Sequence, residues 1–347
     1  MKSVLNKGYI LGIASLLFIV QHRRNNYPKQ KGSKAYLISF FTSCLLPPAS
    51  CLLALSLDIT PVRSTLPDPL IIAQANNQQT AIEALNQGLE AIQGGKLQEA
   101  IAAFRKAAKL DPKLAPAHYN LGLALRQAGQ LQPAADAFYQ ATKADPNFAL
   151  AFANLGGALL EGNNLKLAND YLQHALKLDP RLGFAHYNLG LVREKKGEWE
   201  SAISAFKKAR ELSPNAPEPA YHLGICYLQQ QKIDQAKTAF NQAIQINPQY
   251  AEAHYNLGFI LFNQGKSSEA LAAFRNSAQA NSSYANAYYG AGLVFMQLKQ
   301  YSEAARVFQY ARDLYQKQGN AHWANKAQEL LQQTQKQPGN KSKSGFL

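Results

Sequence analysis

An asparagine recurs at a fixed interval of 34 residues: Asn86, Asn120, Asn154 and Asn188, then Asn256, with His222 and Gly290 standing where the series breaks. An amide offers a donor and an acceptor together, so a row of them can pair with successive peptide groups of an extended guest chain. The preceding residue is tyrosine at Tyr119, Tyr187, Tyr221, Tyr255 and Tyr289, which adds a flat apolar ring and a hydroxyl beside the amides. Packing between units is an equally good use for those rings. His118, His186 and His254 stand two intervals apart, too distant to share a metal ion, and suit packing or surface roles. A Ser-His-Asp set, a phosphate-cradling glycine loop and a cysteine-rich metal site are all missing from the sequence. The chemistry on offer is non-covalent recognition of another polypeptide, and neither catalysis, a cofactor nor a metal is expected.

The elements that hold this row are set by the same period. Counting from Ala115 as position 1 of the unit at 115–148, position 8 is glycine seven times, from Gly88 to Gly292, and position 20 is alanine seven times, from Ala100 to Ala304. No residue is inserted or deleted between them, and an unbroken period of this length marks a solenoid. Within a unit, apolar residues fall at helical spacing over positions 1 to 14 and again over 17 to 31, which predicts two helices. A glycine inside a helix costs about 1 kcal/mol against alanine, so seven at one register need a reason in packing. Small residues where two helices cross let them approach, and position 24 fills the space with Phe104, Phe138, Phe206, Phe240, Phe274 and Phe308, or Leu172 in the third unit. Proline at position 32, from Pro112 to Pro248, ends the second helix; the last two units carry Ser282 and Gln316 there.

These residues resemble the tetratricopeptide repeat family over 81–318, in seven units at 81–114, 115–148, 149–182, 183–216, 217–250, 251–284 and 285–318. The resemblance implies an all-α, right-handed superhelical solenoid of helix-turn-helix repeats whose first helices line a concave surface. It also implies that positions 5 and 6 face that groove, so the tyrosines and asparagines named above become the candidate peptide-binding residues. The asparagine row is similar to those in the repeat arm of O-linked N-acetylglucosamine transferases. The family's clamp for acidic C-termini, lysine at position 5 with asparagine at position 9, is not matched. Gly319 and Asn320 supply a stop and a cap, and Trp323, Ala327, Leu330 and Leu331 share one face, which predicts a closing helix within 319–335. The basic tail 336–347 reads as disordered.

Net charge is +14, of which residues 1–75 carry +6, 76–335 carry +5 and the last twelve +3. The excess lies mostly outside the repeats, which argues against nucleic acid as a partner. Residues 1–75 are not repetitive. Tyr9 to Val20 is apolar, a basic stretch follows, and Tyr36 to Leu57 gives 22 uncharged residues. That stretch suits an export signal cleaved after Ala73-Gln74-Ala75, or a membrane anchor with the repeats outside; a two-span hairpin leaving the repeats cytoplasmic is a weaker third reading. The expected location is extracytoplasmic, secreted or periplasmic, or membrane-anchored through residues 36–57. Residues 76–80 read as a linker. Cys226 is the only cysteine in the repeats and reads as a packed thiol.

Overall fold

Helices form where the sequence repeats its apolar stripe and stop where a local side chain captures the backbone. In the computed structural model the described residues are 69–337, with side chains from Asn76 onward. All of them lie in one of two compact units, Leu66–Leu347. They form fifteen helices and no strand: α1 Pro69–Gln93, α2 Leu97–Leu110, α3 Ala115–Gln127, α4 Leu131–Ala144, α5 Ala149–Glu161, α6 Leu165–Leu178, α7 Gly183–Lys195, α8 Trp199–Leu212, α9 Pro217–Gln229, α10 Ile233–Ile246, α11 Ala251–Asn263, α12 Ser267–Ala280, α13 Ala285–Gln297, α14 Tyr301–Lys317 and α15 Ala321–Gln335. Each helix packs on its neighbours in sequence. First helices of successive units also touch, α5 with α7 and α11 with α13, whereas no two second helices come as close. The first helices therefore form the inner row of the stack.

The glycine at position 8 and the ring at position 24 are one contact. A Cβ built on Gly88, Gly122, Gly190, Gly224, Gly258 or Gly292 would fall 2.4–2.9 Å from the phenylalanine of the same unit, and on Gly156 it would fall 2.6 Å from Leu172 Cγ. Those rings are at most 1% exposed. Burying one stabilises the fold by about 1.5–3 kcal/mol, which outweighs the helix penalty of the glycine facing it. The turn between the two helices needs a left-handed residue: Gly129 has φ 77° and Gly197 74°, and Asn163, Gln231 and Lys299 adopt φ 59–60° at the same register.

Two expectations change. Proline at position 32 does not act alone: α8 ends at Leu212 before Ser213 and Pro214, but α12 ends at Ala280 although Ser282 stands in the proline's place. In five units the residue before it adds a second device: Asp111, Asp145, Asp179, Asn247 and Asn281 each accept, through Oδ1, the amide two residues on, at 2.9–3.0 Å. That side-chain bond competes with the helix ladder and stops it. In the seventh unit position 31 is Tyr315 and position 32 Gln316, so neither device is present and α14 runs on to Lys317. The second change is at the start. Residues 76–80 are part of α1 rather than a linker, because nothing there breaks a helix and Thr80 Oγ1 bonds back to the Asn76 carbonyl at 2.8 Å.

At the far end Asn320 caps α15 by accepting the Trp323 amide at 3.4 Å. Trp323, Ala327 and Leu331 are buried, Trp323 meeting the rings of Tyr289 and Tyr315. Of the signal or anchor segment expected at residues 1–75, residues 1–68 lie outside the described residues, and 69–75 are the first part of α1. Among the described residues no helix is long and apolar enough to cross a membrane.

Candidate peptide-binding groove

The asparagine and tyrosine rows meet across the seam between units. Asn154 Nδ2 donates to Tyr119 Oη of the preceding unit at 3.2 Å, and Asn256 Nδ2 to Tyr221 Oη at 3.5 Å. The same nitrogens also bond one turn back along their own helix, Asn154 to the Leu150 carbonyl at 2.9 Å and Asn256 to that of Glu252 at 2.8 Å. Asn120 makes the equivalent bond to the Pro116 carbonyl at 2.8 Å. An asparagine held this way ties its own helix to the unit before it, with the carbonyl oxygen left to accept.

Burial divides the candidates. Asn154 and Asn256 are 8% and 5% exposed, and Tyr221, Tyr255 and Tyr289 are 4%, 5% and 9%. Asn86 is exposed, and Asn120, Asn188, Tyr119 and Tyr187 are half-buried. Each tyrosine ring stands 5.7–5.9 Å from the position-24 phenylalanine of its own unit. Three also meet an aromatic at the unit's last position: Tyr119 with Phe148, Tyr221 with Tyr250 and Tyr255 with Tyr284. The buried members hold the units together. Asn86, Asn120, Asn188, Tyr119 and Tyr187 are the ones that keep exposed surface.

Burial pushes the phenols of Tyr221, Tyr255 and Tyr315 above the ordinary value near 10, and neighbouring tyrosines add to it. An unfolded chain gives up these protons near pH 10 while the folded one keeps them. Their contribution to stability is therefore whole below about pH 10 and falls as the pH climbs toward the folded values. Melting temperatures measured between about pH 8 and pH 11 should drop at the alkaline end, and Tyr255→Phe should flatten the drop; a profile unchanged by that substitution contradicts this account.

The histidines at position 4 are structural. His118, His186 and His254 each place Nε2 3.0 Å from the carbonyl of Pro112, Pro180 and Pro248, at the junction with the preceding unit. Tyr288 reaches the Ser282 carbonyl from the same register at 3.3 Å. Among the described residues no group of three His, Cys, Asp or Glu is placed to hold a metal. Cys226 is fully buried, and burial followed by the nearby Glu194 pushes its thiol well up, in keeping with a packed side chain.

Sequence reasoning missed one feature. Where His222 interrupts the asparagines, its Nδ1 lies 2.8 Å from Glu194 Oε2, and that carboxylate's residue is 3% exposed. The break in the row was the available signal. Beside the amides, positions 9 and 12 of the first helices carry half-buried apolar side chains, among them Leu89, Ile92, Leu123, Leu191, Leu228, Phe259, Phe262, Leu293 and Met296. The inner row thus sets amides beside apolar side chains along most of its length, with larger apolar groups in the late units.

A tetratricopeptide-repeat family model, described as the cilia and flagella-associated protein 70 C-terminal domain, matches residues 73–291. Among solved structures, a tetratricopeptide repeat protein from Parabacteroides merdae ATCC 43184 aligns with 74% of this chain and 99% of its own at 20% identity and a TM-score of 0.55. The pilF protein of Pseudomonas aeruginosa aligns with 61% of this chain and 96% of its own at 21% identity and a TM-score of 0.54. Both share the helix-pair fold. YrrB, described as a TPR protein with an unusual peptide-binding site, aligns with 56% of this chain and 99% of its own at 26% identity and a TM-score of 0.45. No curated protein matches the chain. The likeness of the asparagine row to O-linked N-acetylglucosamine transferase arms rests on residues alone.

Proposed function

The chain belongs to the tetratricopeptide-repeat family, through the domain matched at residues 73–291, and from that premise we propose that it is a non-enzymatic scaffold for protein–protein interaction. It holds an extended segment of a partner protein along the inner row of first helices. The observation that carries this reading is the make-up of that row: amides at Asn86, Asn120 and Asn188 that are not fully buried, beside half-buried apolar side chains such as Leu123, Phe259, Phe262 and Met296. Amides pair with the guest's backbone whatever its sequence, and the apolar groups select side chains. The triple variant Asn86→Ala, Asn120→Ala, Asn188→Ala in the full chain should weaken a peptide isolated by display selection by about tenfold or more, with the melting temperature little changed. A fall in melting temperature without loss of binding would assign the amides to packing instead.

Residues 36–57 favour a second reading, in which an uncleaved segment holds the repeats beside a membrane complex as an assembly or targeting factor. Twenty-two uncharged residues reach across a bilayer as a helix. N-terminal sequencing of the mature protein separates the two readings, since a start at Asn76 removes the anchor and leaves an exported, extracytoplasmic scaffold.

A further inference from the structure

We propose that the fourth unit carries a second docking site, on its second-helix side, that takes an acidic extended segment of a protein partner. The observation is a departure from the repeat that coincides with a cavity. Positions 25, 26 and 28 are all cationic in the fourth unit alone, as Lys207, Lys208 and Arg210. Position 11, which is Ala91, Leu125, Leu159, Tyr227, Leu261 and Phe295 in the other units, is Arg193 in this one. These four side chains line one open cavity of about 940 Å³ between α6, α8 and α10, with α7 along one wall. That size is at the upper end of the range, about 300–1,000 Å³, that ligand clefts occupy.

The lining selects the occupant. Leu176, Leu189 and Ile246 contribute apolar surface, and the only acid in the lining, Glu211, is already paired with Lys208 at 2.8 Å. Arg193 donates to the Ser201 carbonyl at 3.0 Å and Arg210 to Gln242 Oε1 at 2.6 Å. Both acceptors are neutral, so they orient the guanidinium groups without cancelling their charge, and an oriented guanidinium favours a carboxylate. The Arg210–Gln242 bridge also borders a second cavity of about 260 Å³ along α10, whose lining includes Tyr227 and Asp234, so the acidic guest is assigned to the larger cavity alone. His186 is the only aromatic ring in the larger cavity, and it is bonded to the Pro180 carbonyl. Without a stacking platform, a single-stranded nucleic acid is the poorer fit. Carboxylates set among apolar side chains match the trough on both counts.

The test uses the full chain and fluorescence anisotropy with three probes: a short peptide of alternating glutamate and leucine, its glutamine-for-glutamate counterpart, and oligothymidylate. The acidic peptide should bind with a strong salt dependence, and Lys207→Gln with Arg210→Gln should weaken it by about tenfold or more. Arg193→Leu, which copies the third unit's Leu159, should also weaken it while leaving the melting temperature unchanged or higher. Equal binding of the two peptides, or variants that bind like the parent, overturns the proposal. So does oligothymidylate that binds as tightly and is lost in the same variants. If the Asn86, Asn120 and Asn188 substitutions abolish binding of the acidic peptide, the guest lies on the inner row and this site falls, whereas the scaffold reading stands.

Discussion

Phe240→Ala lowers the unfolding free energy by about 3–5 kcal/mol, measured by urea denaturation of the full chain. The ring is completely buried, and its removal empties the space between the two helices of the fifth unit and the helices that follow. The glycine opposite makes the result more informative than a single truncation. A Cβ on Gly224 would stand 2.5 Å from Phe240 Cε1 and 2.7 Å from Cδ1, so Gly224→Ala in the parent forces the ring to move at a cost of about 1–3 kcal/mol. Helix propensity returns about 1 kcal/mol of that, and the clash wins. In the Phe240→Ala background the clash is gone and only the propensity gain remains, so the same Gly224→Ala becomes stabilising. A double-mutant cycle reads this reversal of sign directly. Additive effects would show that the glycine and the ring are not one contact.

His222→Leu costs about 2–3 kcal/mol, because it takes a hydrogen-bond partner from a carboxylate whose residue is 3% exposed. The remedy is visible one unit along. Where the fifth unit meets the sixth, the same two registers hold Leu228 and Asn256, a neutral combination, and Asn256 bonds to Tyr221 and to its own helix. The pair Glu194→Leu with His222→Asn copies that arrangement and should recover most of the loss. Thermal melts of the two single variants and the double decide it; a double variant as unstable as the worse single would mean that the acid serves something other than this seam.

Much of this architecture was legible before any coordinates, because a solenoid writes its contacts into its period. Gly224 and Phe240 are sixteen residues apart in every copy, and repetition turned a costly helix glycine into evidence of a close crossing. The groove was less legible for a geometric reason. Tyr119 and Tyr221 share a register, yet one is half-buried and the other 4% exposed, since the aromatic at the last position of the same unit, Phe148 or Tyr250, and the neighbours in the stack differ. Asp111 and Asn281 were hidden differently: a side chain turning back on its own backbone leaves no periodic apolar trace. Arg193 was plain in the sequence, but a cation at an apolar register gains meaning only when a cavity is found beside it.

Continue the 34-residue count beyond the seventh unit and Trp323 falls in the slot of the tyrosines, while Lys326 occupies that of the invariant glycine. The indole takes up the expected place against Tyr289, and the lysine ammonium lies 4.6 Å from the centre of that indole ring. A long charged side chain at this point denies any following helix the close crossing that every other pair depends on. Lengthening of the array by duplication is thereby confined to positions upstream of α15, and an engineered protein with more modules must receive them in the interior, leaving this last helix as the lid.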